Sequence, residues 1–331
     1  MFALPASWYG DPDVHRRERT AVWAREWLVF APAARLSAPG RYVARAMAGW
    51  PIFVVAGPDG ALRGFHNVCA HRAGPMVADG HGSIGNLVCR YHGWAYDWDG
   101  SLMNARDFGE VAPPEGLGLP PIRVERWRNL VWVCLDTDAP PLVEGLGEFA
   151  AQCDEFPMEE FQFTHETTRV LACNWKTYAD NYLEGYHIPL VHPELTREID
   201  VKRYRVDVFE RDGFCLHSAP FRDGAANAGR WLFRYPNLAL NVYRDGMNVE
   251  RILPDGPHRT LVVYEYFFRD PDDAATEEAV KLSGITLDQD QAICEAVQRN
   301  LDAGVYESGP LSAKHEGALG WFQDRLRRAV G

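Results

Sequence analysis

Cys69-Ala-His71-Arg72 and Cys89-Arg-Tyr-His92, with seventeen residues between His71 and Cys89, decide the reading of this chain. Two thiolates and two imidazoles in this order suit a [2Fe–2S] cluster in which Cys69 and Cys89 hold one iron while His71 and His92 hold the other. Replacing two thiolates by imidazoles raises the reduction potential above that of an all-cysteine cluster. A structural Cys2His2 zinc site is the competing reading. Zinc modules, however, tend to group cysteine with cysteine and histidine with histidine, whereas both pairs here are mixed.

Working outward, the 331 residues are 47% apolar, enough for two domains with a continuous core. A net charge of −12 excludes a nucleic-acid backbone as the natural partner, because phosphate requires a basic face. The N-terminal stretch lacks the basic and apolar regions of a signal peptide, and no long uninterrupted apolar run marks a membrane span. The other five cysteines, Cys134, Cys153, Cys173, Cys215 and Cys294, stand singly among apolar neighbours, as in a reducing compartment. A soluble, cytoplasmic protein is expected.

Residues 13–28 carry Val22, Trp23, Trp27 and Leu28 at helical spacing. From Arg41 to about Asp136 the pattern becomes short β-type runs separated by turns such as Gly57-Pro-Asp-Gly60 and Asp97-Trp-Asp-Gly100. The cluster ligands lie on two loops of this region. Pro140 and Pro141 mark its end. Beyond it, Leu171–His187 has a helical pattern. Val201–His217, Arg230–Val242, Asn248–Leu253 and Thr260–Phe268 read as strands, and helices are expected from about Asp273 to Asn300 and over Trp321–Val330. The expected organisation is an N-terminal helical segment over 1–36, a small all-β domain over 37–140 and a second domain over 141–331. The fold class is α+β.

The second dense signal runs from Asn174-Trp-Lys through Asp180, Asn181, Glu184, His187 and Pro189 to His192-Pro193. His187 and His192 would lie about 140° apart on a regular helix, so they can share an ion only if the helix breaks between them, and Pro189 is the expected breaker. On the helix that follows, Leu287, Ile293, Cys294, Val297 and Leu301 form an apolar stripe that contains Asp290. A carboxylate on a buried stripe is costly unless it is paired or bound to metal. His187, His192 and Asp290 would then make a 2-His-1-carboxylate triad of the kind that holds Fe(II) with open positions for O2 and substrate.

With Arg72, Gly74, Pro75, Tyr91, Gly93 and Trp94 around the first set of ligands, the chain resembles the Rieske motif. With Asn174-Trp-Lys through His192 downstream, it resembles the catalytic α subunits of Rieske non-heme iron oxygenases over essentially its whole length. The resemblance implies a helix-grip second domain, an antiparallel sheet wrapped around helices. It implies one Rieske cluster and one Fe(II) per subunit, O2 as co-substrate, and NAD(P)H electrons delivered by a separate flavin/iron–sulfur reductase or ferredoxin. A head-to-tail homotrimer is also implied, in which the cluster of one subunit feeds the iron of its neighbour. Glu184 then takes the bridging position between His187 and the neighbour's His92. Asn181 would line the iron pocket and Asp180 would relay protons or electrons. Strand aromatics such as Trp231, Phe233, Tyr235, Tyr243, Tyr264 and Tyr266 suit an aromatic ring by stacking or an N-methylated, quaternary ammonium substrate by cation–π attraction. Hydroxylation or oxidative demethylation is the expected reaction. Ring cis-dihydroxylation, a purely electron-carrying Rieske protein and a structural zinc module are the alternatives.

Overall fold

In the computed structural model, which describes residues 1–222 and 229–331, the chain divides into two compact units, residues 23–142 and residues 1–22 with 143–331. Ten strands build the first: β1 (Leu28–Pro32), β2 (Arg41–Met47), β3 (Trp50–Ala56), β4 (Leu62–His66), β5 (Gly80–Ser83), β6 (Leu87–Val88), β7 (Ala95–Tyr96), β8 (Leu102–Asn104), β9 (Pro121–Trp127) and β10 (Leu130–Cys134). Seven form one antiparallel sheet in the order β1-β10-β9-β4-β3-β2-β5, and β6-β7-β8 form a small second sheet. Gly60 and Gly100 sit at φ +79° and +90°, where a side chain would be strained, so these two turns close tightly. Phe53, Val55, Phe65, Trp94 and Tyr96 pack with Cys69 and Cys89 in one buried cluster. The structure corrects the expected boundary. Leu28–Pro32 is not part of an N-terminal helix but a fully buried strand paired with β10, so residues 23–36 belong to this unit.

The second unit begins with α1 (Pro12–Glu18), which is shorter than the helix expected over 13–28 and passes into a π turn at Arg19–Trp23. After α2 (Gly147–Ala151), strand β11 (Gln162–Leu171) leads into α3 (Trp175–Tyr182), α4 (Ile188–Val191) and α5 (Pro193–Glu198). Strands β12 (Arg205–Phe209), β13 (Phe214–Ser218), β14 (Gly229–Arg234), β15 (Leu238–Tyr243), β16 (Gly246–Pro254) and β17 (Thr260–Phe268) follow, then α6 (Ala274–Asp302) and α7 (Gly317–Val330). The two long stretches expected as single strands are each split. Gly213, at φ +69°, turns the chain between β12 and β13, and Tyr235–Asn237 turns it between β14 and β15. The seven strands make one curled antiparallel sheet in the order β11-β17-β16-β15-β14-β13-β12.

Strand alternation gives this sheet two chemically different faces. Glu250 lies opposite Tyr264, and Asn248 opposite Tyr266, on one face. Arg251 lies on the other, where its guanidinium donates to Glu265 at 2.7 Å with both side chains fully buried. The helices α3 and α6 are tied by Gln298, whose Oε1 accepts from Asn174 N (2.9 Å) and Thr177 Oγ1 (3.1 Å). No helix among the described residues is long and apolar enough to cross a membrane.

Candidate metal centres and cavity

The two loops that carry the first ligand set are conformational copies. Cys69 N donates to Gly74 O (2.8 Å) and Ala73 N to Cys69 O (3.0 Å); Cys89 N donates to Trp94 O and Gly93 N to Cys89 O, both at 2.9 Å. Ala73 and Gly93, each four residues after its cysteine, take positive φ of 51° and 76°. Both thiols are buried, and the Tyr96 hydroxyl lies 3.0 Å from Cys69 Sγ. The imidazoles of His71 and His92 stand 4.6 Å apart, edge to face, and His71 is stacked on Trp94.

Two observations fit a bound cluster. His71 Nδ1 is buried with no hydrogen-bond partner, an arrangement that is costly for a ring nitrogen unless its lone pair meets a metal. A Cβ on Gly74 would stand 3.0 Å from Cys89 Sγ, so only glycine leaves the sulfur room. The donor set of two thiolates and two imidazoles is that of a Rieske [2Fe–2S] centre.

In the other unit, His187 Nε2 and His192 Nε2 lie 3.2 Å apart, and Asp290 Oδ1 is 3.0 Å from the second and 3.8 Å from the first. The route to this cluster differs from the expected one. α3 ends at Tyr182, so Glu184 meets His187 through a turn rather than along a helix face. Glu184 Oε1 is 2.6 Å from His187 Nδ1, and its Oε2 accepts from the backbone of Tyr186 and His187. Pro189 is not the breaker. It sits in the first turn of α4, where its missing N–H costs nothing. The break falls at His192, whose ψ of 77° is non-helical because Pro193 follows it.

The α6 stripe is also turned from its expected phase. Leu287, Asp290, Cys294 and Gln298 are buried, whereas Ile293 and Val297 are about two-fifths exposed. Asp290 remains on the buried side because it lies three residues after Leu287 and four before Cys294. Asn181 Nδ2 donates to Asp290 Oδ1 at 2.7 Å, which aims the carboxylate. His192 Nδ1 is 2.7 Å from Gln289 Oε1, and Gln289 in turn donates to Glu194 Oε2 at 3.1 Å. Burial disfavours the charged His192 ring, but Asp290 and Gln289 outweigh it and raise its pKa. With Nδ1 of both rings engaged by oxygen, both Nε2 lone pairs converge with Asp290 on one point. Two imidazoles and one carboxylate with an open side fit Fe(II).

Asp180 does not join this cluster. It lies elsewhere, partly buried, accepting from Tyr9 Oη (2.5 Å) and Gln323 Nε2 (3.0 Å), with Oδ1 unpartnered. Desolvation raises its pKa to about 7. Asp180 lies outside the lining of the cavity at the histidines.

A cavity of about 650 Å³ opens onto the histidines and Asp290. Of the aromatics singled out in the sequence, Trp231, Tyr243, Tyr264 and Tyr266 line it; Phe233 and Tyr235 instead pack against Phe322, and Phe214, another aromatic of these strands, stacks on Phe209. Three further residues were missed in the sequence. Gln289 orients a ligand, Tyr96 touches a cluster sulfur position, and Glu250 lies at the cavity wall with only 2% exposure. A glutamate at the centre of a mostly apolar strand, Gly246–Pro254, was the available signal for the last.

Residues 158–230 and 222–331 match the model of the ring hydroxylating alpha subunit (catalytic domain), and residues 26–115 match that of the Rieske [2Fe-2S] domain. Chloroplastic choline monooxygenase of Amaranthus tricolor is 30% identical over 324 residues, 93% of this chain and 73% of the relative. The carnitine monooxygenase oxygenase subunit of Escherichia coli is 29% identical over 338 residues, 96% and 89% of the two chains. Among solved structures, a quaternary ammonium Rieske monooxygenase in complex with L-carnitine superposes with a TM-score of 0.88 at 24% identity, covering 100% and 96%. Naphthalene 1,2-dioxygenase with indole bound gives 0.76 at 20%, covering 92% and 81%. The last two likenesses concern the fold.

Proposed function

This chain belongs to the ring-hydroxylating oxygenase α-subunit family, with its Rieske domain and mononuclear-iron catalytic domain, and from that premise we propose that its substrate is a small quaternary ammonium compound. The protein is a Rieske-type oxygenase, an oxidoreductase that incorporates oxygen from O2 using electrons from a reductase. The balance is one C–H bond, O2, two electrons and two protons giving one C–OH bond and water. On an N-methyl carbon the product is a carbinolamine, which releases formaldehyde and completes a demethylation.

One observation carries the substrate reading. The cavity beside His187, His192 and Asp290 is walled by aromatic rings, and among the described residues its lining holds seven carboxylates against two guanidiniums. Aromatic faces and net negative charge attract a methylated cation. A neutral ring would gain from the faces but not from the charge.

When bound, the cluster supplies single electrons and the Fe(II) activates O2. In this reading Cys69, Cys89, His71 and His92 hold the cluster, and His187, His192 and Asp290 hold the iron. Asn181 and Gln289 fix the directions of Asp290 and His192. Glu184 orients His187 and provides the contact to His92 of a neighbouring subunit in a homotrimer, so that electrons cross between chains. The working protein is cytoplasmic and takes electrons from a separate flavin/iron–sulfur reductase or ferredoxin.

The test is O2 uptake by the iron-loaded protein with a surrogate reductase, across choline, glycine betaine, carnitine and a set of aromatic compounds. Substrate-dependent uptake with formaldehyde or aldehyde formed from a trimethylammonium compound is expected. A cis-diol from an aromatic ring, with no turnover of the ammonium compounds, would establish ring dihydroxylation instead.

A further inference from the structure

Glu250 has no role in the metal chemistry described above, yet it is among the most deeply buried carboxylates in the catalytic unit. It lies in the middle of β16, on the face that lines the cavity, with 2% exposure. Its Oε1 has no hydrogen-bond partner. Burial raises the pKa of Glu250 to about 7, and the hydroxyls of Tyr178 and Tyr264, which stand beside the carboxylate, oppose that rise without cancelling it. Among the described residues no lysine lines the cavity, and the two arginines that do, Arg244 and Arg269, lie at exposed positions, Arg269 already close to Glu160 and Asp245. The buried cation next in sequence, Arg251, faces away and pairs with Glu265.

A buried carboxylate oxygen with neither hydrogen-bond donor nor cation costs several kcal/mol in general, unless a ligand supplies the missing charge. The surrounding rings cannot hydrogen-bond it further, but their faces suit the same ligand. We infer that Glu250 is the counter-charge for the substrate's ammonium group, held beside the faces of Tyr178, Tyr264 and Tyr266, and is the residue that selects a methylated cation over a neutral molecule of equal shape. This rests on the quaternary ammonium reading given above and extends it by assigning the residue that enforces it. Glu250 touches substrate in this assignment and takes no part in oxygen chemistry. Shape selection is left to the rings and charge selection to one carboxylate.

The decisive comparison is between choline and 3,3-dimethylbutan-1-ol, in which carbon replaces the charged nitrogen with little change of shape. Binding of each to the iron- and cluster-loaded protein is measured by anaerobic calorimetry for wild type, Glu250→Gln and Glu250→Asp, with iron content checked in each. The wild type is expected to favour choline at least about tenfold, as for a desolvated charge contact. In Glu250→Gln that ratio should fall at least about fivefold, with the isostere's Kd changed by less than about twofold. Glu250→Asp keeps the charge but withdraws it by one methylene, so its ratio should lie between the two; a Glu250→Asp ratio equal to that of the wild type would overturn the assignment, and this comparison decides the matter even if Glu250→Gln does not fold. A wild-type preference that persists in Glu250→Gln overturns the role of Glu250 and leaves the substrate reading standing. Loss of iron with the preference intact would instead make Glu250 a charge partner of the metal. A wild-type protein with no preference for choline, glycine betaine or carnitine over uncharged isosteres removes both.

Discussion

At the scale of single residues, the first centre is tuned by contacts outside its ligand set. The Tyr96 hydroxyl at Cys69 Sγ stabilises the more electron-rich, reduced cluster less if removed, so Tyr96→Phe should lower the midpoint potential. A hydrogen bond of about 1 kcal/mol corresponds to roughly 40 mV for a one-electron couple, readable by redox titration of the visible spectrum. Asp180 gives a pH signature. Burial raises its pKa to about 7, so the folded state holds a proton that the unfolded chain gives up near pH 4. Its stabilising contribution is full below the unfolded value and is lost as pH rises towards and through about 7. Urea midpoints measured from pH 4.5 to 7.5 should therefore fall less steeply in Asp180→Asn than in wild type. These two residues also differ in how far the sequence disclosed them. Asp180 was visible as a helix carboxylate, but only the chain fold brings Tyr9 and Gln323 to it. Tyr96 follows its motif by four residues, yet nothing in the spacing says that its hydroxyl returns to the sulfur of the other loop.

Among the elements, the metal triad depends on where helices stop. His187 and His192 were legible because two prolines crowd them, although the break comes from Pro193 rather than Pro189. Asp290 was legible from helical period, but the buried stripe was placed one step too far round: Ile293 and Val297 were counted as inward for being apolar, and both are partly exposed. Polar Gln298 takes an inward place by capping the start of α3. Gln289 could not be read, since a glutamine beside a polar face carries no signal until His192 is opposite it. Gln289→Leu should weaken Fe(II) binding by roughly 10–100-fold while leaving the cluster's absorption unchanged, as measured by metal competition. α1 is anchored differently. Glu18 and Lys176 form a fully buried ion pair at 2.7 Å, and Trp175 Nε1 donates to the same carboxylate at 2.9 Å. Glu18→Gln leaves a buried ammonium uncompensated and should cost about 3–5 kcal/mol, seen as a lowered denaturation midpoint.

For the whole molecule, the proposed path of electrons between chains gives a complementation experiment. Cys69→Ser removes the cluster and Asp290→Ala removes the iron, so each homotrimer should be inactive. Co-assembled at equal amounts, about a quarter of the iron sites would both hold iron and face a competent cluster on a neighbouring chain, and activity should return to about a quarter of wild type. Transfer within one chain predicts none. Glu184→Gln should keep both metals and lose most turnover, as checked by iron content and single-turnover product yield. The division into a small β unit and a larger α+β unit was readable from turn spacing and Pro140-Pro141, whereas the placement of β1 was not, because its pairing partner lies a hundred residues away. One feature of the large sheet reaches further than its architecture. Glu250 and Arg251 are adjacent, so which of them meets the substrate is decided by whether the count of residues back to the Asp245-Gly246 turn is even or odd. Lengthening that turn by a single residue, with the strand sliding in register, would exchange an anion for a cation at the wall. On the assignment of Glu250 proposed above, the sign of charge at the cavity wall is stored as the parity of a hairpin, which a substitution at position 250 can erase but a single-codon insertion reverses.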